Sequence, residues 1–506
     1  MRRYVSVGLA LVTTLATAVV PSFATADPLA PFTSQQLAWK QCSQNVPSLE
    51  CADLVVPLDY SRPDADRISV RVSRLKALDQ ARRRGVLVLN PGGPGGSGIG
   101  MPVFLAKSKP AQVYDLIGFD PRGVGGSTAL ACRPSPDFAT VDTRPPDSEF
   151  PKWAAEAQAA EDACRRAAGG IRPYINTPNT ARDMDVLRAV LKEEKLNYLG
   201  YSYGTYLGAV YGSLFPQRLD RSVLDSSVHP EWIWREQFRA QAVAYRRNVD
   251  LWAAWAAEHH AVLKLGATSQ EVLAGLETLA ASLAVKPVAG QTRTTFDAAV
   301  GVGARYRPLW AELAAVVQQL ATGTSSESAR VLADSVRDEL VPGVFSTVIC
   351  EVDWPADAEM YFEDMRVFRE RYPYGFGVVR AAPTTCTYRS FTPPEPAVEL
   401  KRNGYPVGVV IQAEGDTQTR YEGGPAMATR LGHQLLTVRD EGKHGIYGGG
   451  NKCVDREIDR YLVDGVLPDS SSSCPGDPRP EPTAAVSAAH VRSYLDSRGL
   501  AAFTGP

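Results

Sequence analysis

Three short runs dominated by apolar residues each end in a glycine-rich turn: 86–89 before NPGGPGGSG, 114–119 before DPRGVGGS, and 196–199 before GYSYGTYLG. Strands that are apolar on both sides are buried on both faces, and this happens in a parallel sheet covered by helices. Helical spacing lies between the runs. Met184, Leu187, Val190 and Leu191 share one face, and Thr180 is a candidate N-cap with Asp183 three residues on. A further strand is expected at 222–225. Alternating patterns at 54–58 and 68–72 read as antiparallel strands at the sheet edge. The chain is therefore expected to be α/β, with a mostly parallel central sheet and helices on both faces.

The pattern changes near residue 229. From there to about 395 the chain is rich in Ala, Leu, Trp and charged residues at helical spacing, and strand signals return only at 406–412 and 434–438. This predicts one core (27–228 and 396–506) interrupted by a helical cap (229–395). The serines at 470–473, with nearby prolines, read as a polar loop. Residues 1–26 have the layout of a signal peptide: Arg2 and Arg3, an apolar stretch over 5–20, and Ala24-Thr25-Ala26 before Asp27. The stretch is shorter than the ~20 residues a membrane span needs. Export, with no stable membrane insertion after cleavage, is the expectation.

Eight cysteines follow the leader and fall into four near pairs, predicting Cys42–Cys51, Cys132–Cys164, Cys350–Cys386 and Cys453–Cys474. With no CxxC and six scattered histidines, neither a metal nor an organic cofactor is expected. Lys plus Arg number 54 against 56 Asp plus Glu, mixed along the chain, which argues against a nucleic-acid partner.

GYSYG places Ser202 between glycines at a strand-to-helix crossing. Such a turn can present a serine at the carboxyl edge of the sheet, facing the N–H groups of the following helix. A serine hydroxyl needs a base. His444, in the glycine-rich EGKHGIYGGG, is the candidate; His229 could also line a site, and His259 and His260 read as cap packing. The orienting carboxylate should lie between the two in sequence. Asp416 in QAEGDTQT fits, with Glu414 as competitor. Donors for an oxyanion are expected from the amides of Tyr203 and of Gly93 in the PGGPGG loop. That loop might instead cradle phosphate, but G-x-x-x-x-G-K-[ST] is missing and its proline removes an amide.

NPGGPG, DPRGVGGS, GYSYGTYLG, GDTQT and GKHGIYGGG, in this order, resemble the secreted α/β-hydrolases of the tripeptidyl aminopeptidase type from actinobacteria and, more distantly, the proline iminopeptidases. The resemblance runs from about residue 39 to 467. It implies an α/β-hydrolase fold, a Ser202–Asp416–His444 triad with Gly93 and Tyr203 as oxyanion donors, and Thr419 supporting the acid loop. It also implies release of short peptides, tripeptides in the named type, from free N-termini. Thr417-Gln418 and Lys443 depart from the family pattern. An aminopeptidase also needs acids for the substrate ammonium, and Glu351 and Asp353 in CEVDWP are the candidates. Two other readings stay open: a carboxylesterase using the same triad, and an inactive binding scaffold. The PGGPGG loop favours the peptidase over the esterase, and the complete triad argues against the scaffold. The number of subunits is left open.

Overall fold

The computed structural model describes residues 27–132, 141–337, 343–470, 472–483 and 486–496, with Met1 and Tyr4. The expected leader, apart from Met1 and Tyr4, lies outside the described residues. Ten strands form one sheet: β1 Lys40–Ser43, β2 Val46–Pro57, β3 Arg67–Leu75, β4 Val86–Asn90, β5 Asp115–Phe119, β6 Leu196–Tyr201, β7 Leu219–Asp225, β8 Val409–Ala413, β9 Gln434–Arg439 and β10 Ser473–Pro475. Their order is β1-β2-β3-β5-β4-β6-β7-β8-β9-β10. Pairing is antiparallel from β1 to β5 and parallel from β5 onward. The mostly parallel sheet with an antiparallel edge is the α/β-hydrolase arrangement that the resemblance implies.

Side-chain alternation divides the core. Val86 and Val88 of β4 enter one apolar layer, together with Leu207 and Val210 of the helix Tyr203–Leu214. Leu87 and Leu89 enter the opposite layer, with Ile458 and Leu462 of the helix Lys452–Asp464. Each fully buried aliphatic side chain stabilises by roughly 1.5–3 kcal/mol, so a strand buried on both faces is worth about twice one buried on a single face. All four expected disulfides form. Cys453–Cys474 ties β10 to the helix Lys452–Asp464, and so the serine-rich stretch read as a loop supplies a short edge strand.

β7 and β8 are neighbours in the sheet, although the chain between them includes the long helices Arg235–Glu258, Ser269–Val285, Arg293–Arg305 and Trp310–Ala321. These helices have their own apolar cluster around Trp252, Phe296 and Trp310. The C-terminal helix Ala488–Asp496 sends Val491 and Leu495 into that cluster rather than toward the sheet.

Two local features differ from or add to the sequence reading. The helix carrying Met184 spans Thr177–Val190 and is capped by Asn176, one turn before the expected Thr180, because the Asn176 side chain accepts the Asn179 N–H at 2.9 Å. Proline in its first turn needs no amide partner. Arg122 of the DPRG turn is fully buried and pairs with Asp183 on that helix, Nε to Oδ2 at 2.8 Å and Nη2 to Oδ1 at 2.6 Å. Its remaining N–H groups reach the carbonyls of Pro57, Leu58 and Tyr174. Removing one partner of such a pair leaves an uncompensated buried charge. Asp183→Asn is therefore expected to cost about 3–5 kcal/mol, read as a lower urea midpoint.

Candidate active site

Ser202 stands between β6 and the helix Tyr203–Leu214 at φ 58°, ψ −127°. A residue with a side chain holds such a conformation at a cost of about 1–3 kcal/mol, so its surroundings must enforce it. The Ser202 N–H donates to the Asp225 carbonyl at the end of β7 (2.9 Å), and the Ser202 carbonyl accepts from the N–H (2.9 Å) and hydroxyl (2.6 Å) of Thr205. The two loops at the strand ends touch. A Cβ on Gly92 would lie 2.8 Å from Ser202 Cβ and 3.2 Å from the Tyr203 nitrogen, and one on Gly204 would lie 2.7 Å from Asn90 Oδ1. Only glycine permits both approaches. Among the described residues the amides of Gly93 and Tyr203 make no hydrogen bond, whereas the neighbouring Gly92 amide is taken by Asn90 Oδ1.

His444 Nδ1 lies 2.8 Å from Asp416 Oδ2, and Thr419 Oγ1 donates to the same oxygen at 2.9 Å. The other oxygen, Oδ1, accepts the amides of Gln418 and Thr419. Burial pushes the Asp416 carboxyl up, but His444, Arg305 and the Gln418 amide outweigh this and hold it below the ordinary aspartate range. The alternatives from the sequence are occupied elsewhere. Glu414 Oε2 accepts the Asp440 amide at 2.8 Å, His229 stacks on Trp232, and His259 Nδ1 meets the Trp255 carbonyl.

The base loop is tied to the elbow through the end of β7. Asp225 Oδ2 accepts the amides of Ile446 (3.0 Å) and Tyr447 (2.7 Å), and Ser226 Oγ accepts that of Gly445 (2.8 Å). The hydroxyl of Ser202 and the ring of His444 thus come from loops fixed to one strand end. No hydrogen bond joins them in the described structure; such bonds are commonly long in unliganded enzymes and tighten on the substrate.

The inserted helices brace the acid and base loops. Gln237 and Gln241 donate to the Gln418 carbonyl at 2.8 and 2.9 Å, and Asn248 donates to the Gly415 carbonyl at 2.9 Å. Arg305 Nε reaches the Gly442 carbonyl at 2.9 Å, and Arg307 Nε reaches Asp440 at 3.0 Å. Both departures from the family pattern are seated by contacts of this chain. Gln418 docks on the inserted helix, and Lys443 pairs with Asp477 at 2.8 Å in the C-terminal segment.

The two acids of CEVDWP separate. Asp353 has a side chain 96% exposed and bound to Arg389. Glu351 is buried, and its oxygens accept the Thr177 amide (2.7 Å) and hydroxyl (2.8 Å). The Thr177 hydroxyl in turn meets the Tyr203 hydroxyl at 2.8 Å, which connects Glu351 to the residue after Ser202. Glu351, Tyr206 and Glu395 line one small pocket. Glu395 is held by both Nη atoms of Arg182, while no arginine or lysine pairs with Glu351 among the described residues. Among those residues, too, no group of His, Cys, Asp and Glu has the arrangement of a metal site, and no helix is long and apolar enough to cross a membrane.

Burial pushes Glu351 up to about 7, against the partial relief of the Thr177 bonds. A carboxyl raised above its unfolded value of 4.5 contributes stability that is complete below that value and lost as pH rises through about 7. Wild-type protein is accordingly expected to lose stability relative to E351Q between pH 5 and 8, measured as diverging urea midpoints.

Comparison with known proteins agrees with this geometry. Residues 85–319 match a family described as "alpha/beta hydrolase fold" and 372–474 one described as "TAP-like protein". The chain is 33% identical to "Tripeptidyl aminopeptidase" of Streptomyces lividans, over 88% of this chain and 87% of that one. It is 30% identical to "Serine protease Hip1" of Mycobacterium tuberculosis (88% and 92% covered) and 31% identical to "Carboxylesterase B" of the same species (88% and 91%). The chain is a serine hydrolase and belongs to the tripeptidyl aminopeptidase family of α/β-hydrolases.

Proposed function

We propose that this enzyme is an exported serine exopeptidase that releases short peptides, tripeptides above all, from free N-termini. The single observation that carries the reading is the His444–Asp416 hydrogen bond, on a loop anchored to the same Asp225 that holds the Ser202 amide. Ser202 Oγ attacks the scissile carbonyl while His444 Nε2 takes its proton. Asp416 keeps Nδ1 protonated and stabilises the imidazolium. The free amides of Gly93 and Tyr203 receive the oxyanion, each worth about 2.7–4 kcal/mol. His444 then protonates the leaving amine, and water releases the acyl group. Four disulfides and the leader layout of residues 1–26 support export.

Recognition of the free end falls to Glu351. It is the carboxylate of its pocket that no guanidinium neutralises, and the aromatic ring of Tyr206 beside it suits an ammonium. Asp353, turned outward to Arg389, is left to hold the CEVDWP turn. The relative named Carboxylesterase B makes ester hydrolysis the competing reading.

One substrate panel separates the two: a tripeptidyl arylamide, its N-acetylated twin and a simple aryl ester. Cleavage of the first and not the second is expected; preference for the ester would favour the competitor. Ser202→Ala is expected to lower kcat on the order of 10⁶-fold. E351Q is expected to raise KM for the free tripeptide about 10–100-fold, the worth of a hydrogen bond to a charged group, with ester turnover kept.

A further inference from the structure

We propose that Asp225 is the positioning residue for His444, gathering the three amides that follow the base and the amide of the nucleophile onto one buried point. The inference rests on the triad reading above. Asp225 ends β7 and is 0% exposed. Its main-chain oxygen accepts the Ser202 N–H (2.9 Å), and Oδ2 accepts the Ile446 (3.0 Å) and Tyr447 (2.7 Å) amides. Oδ1 accepts the Ser226 hydroxyl (3.1 Å), whose oxygen accepts the Gly445 amide (2.8 Å). Every amide of the 445–447 turn therefore ends on Asp225 or on the residue it holds.

A carboxylate is a costly choice for this position. No arginine or lysine pairs with it among the described residues, and burial pushes its carboxyl up to about 6 despite the amides and the nearby His444. The cost is matched by a function a neutral side chain performs less well. An asparagine offers one acceptor oxygen, and its amide donates where Oδ1 accepts. Hydrogen bonds to an ionised acceptor are also about twice as strong as neutral ones. Asp225 further supplies a second negative charge near the imidazolium, while Asp416 supplies the direct one. Tyr201 braces the same turn from below, its hydroxyl donating to the Tyr447 carbonyl at 2.8 Å.

The test uses the full chain with D225N and S226A, His444→Gln as spectral control, and a fluorophosphonate as probe of Ser202. Folding is checked by circular dichroism and thermal midpoint. For folded D225N we expect kcat and the fluorophosphonate labelling rate to fall 10–100-fold with KM within twofold of wild type. The low-field proton of His444 Nδ1 in the ¹H NMR spectrum is expected to shift or broaden. S226A, which loses only the Gly445 tie, is expected to fall three- to tenfold in kcat. Folded D225N with wild-type kcat and an unmoved Nδ1 proton would overturn the proposal, as would loss of thermal stability with kcat unchanged. If D225N does not fold, S226A decides, and wild-type kcat there overturns it. A wild-type Ser202 that the fluorophosphonate leaves unlabelled would instead sink the triad reading itself, and this proposal with it.

Discussion

The backbone of Ser202 is held at φ 58°, where a side-chain-bearing residue is uncomfortable, and the structure around it is organised to keep it there. The strain is local, but the restraints are not. They come from β4 through Asn90 and Gly92, from β7 through Asp225, and from the following helix through Thr205. The two strands lie either side of β6, parallel to it, with their carboxyl ends on one side. The antiparallel edge of the sheet cannot contribute such ends, and the candidate residues Ser202, Asp416 and His444 follow β6, β8 and β9, away from it. A parallel centre is thus what brings loops about 240 positions apart to one edge of the sheet.

The inserted helices do more than cover the site. Gln237, Gln241 and Asn248 lie at helical spacing along one face and take the carbonyls of the acid loop. Arg305 and Arg307 take the base loop from the middle of the insertion. The acid and base loops therefore depend on the insertion as well as on the strands that carry them. Five side chains of this segment hold the loops that carry Asp416 and His444.

Much of this was readable from the sequence because the signals were local. The apolar runs, the glycine turns and the Gly-x-Ser-x-Gly crossing each act within about ten residues, and they predicted the strands that carry Ser202, Asp416 and His444. The cysteine pairs were legible because the eight cysteines fall along the chain as four successive near pairs, 9 to 36 residues apart. What escaped depends on contacts far along the chain. Asp225 looked like the polar end of a strand, since nothing nearby says that residues 445–447 will fold onto it. Arg122 looked like an ordinary turn residue until Asp183 arrived from another helix. Glu351 and Asp353, two residues apart and chemically alike, could not be separated, because their difference lies in Thr177 and Arg389. The docking of the final helix on the inserted cluster was equally silent, since an apolar stripe does not state which layer it will join. One local signal was overlooked: Asn-Thr-Pro at 176–178 is a good helix start, with an N-cap followed by proline in the first turn.

Two buried aspartates flank the base, and their surroundings push them apart. Asp416 is held low by His444, by Arg305 from the insertion and by loop amides. Asp225, equally buried, makes no hydrogen bond to His444 and has no arginine or lysine partner among the described residues, and it is held high. Similar groups in different environments take different roles. The one kept ionised can face the ring and bear the charge that develops on it during proton transfer. The other is better placed behind the loop, where amides rather than the proton in flight are its partners. His444 is the largest of the influences that lower Asp416, through a direct hydrogen bond that Asp225 lacks, and Arg305 adds to it from the segment between β7 and β8. The difference between the two acids is therefore set first by the direct contact of Asp416 with the ring, with a smaller contribution from the segment between β7 and β8.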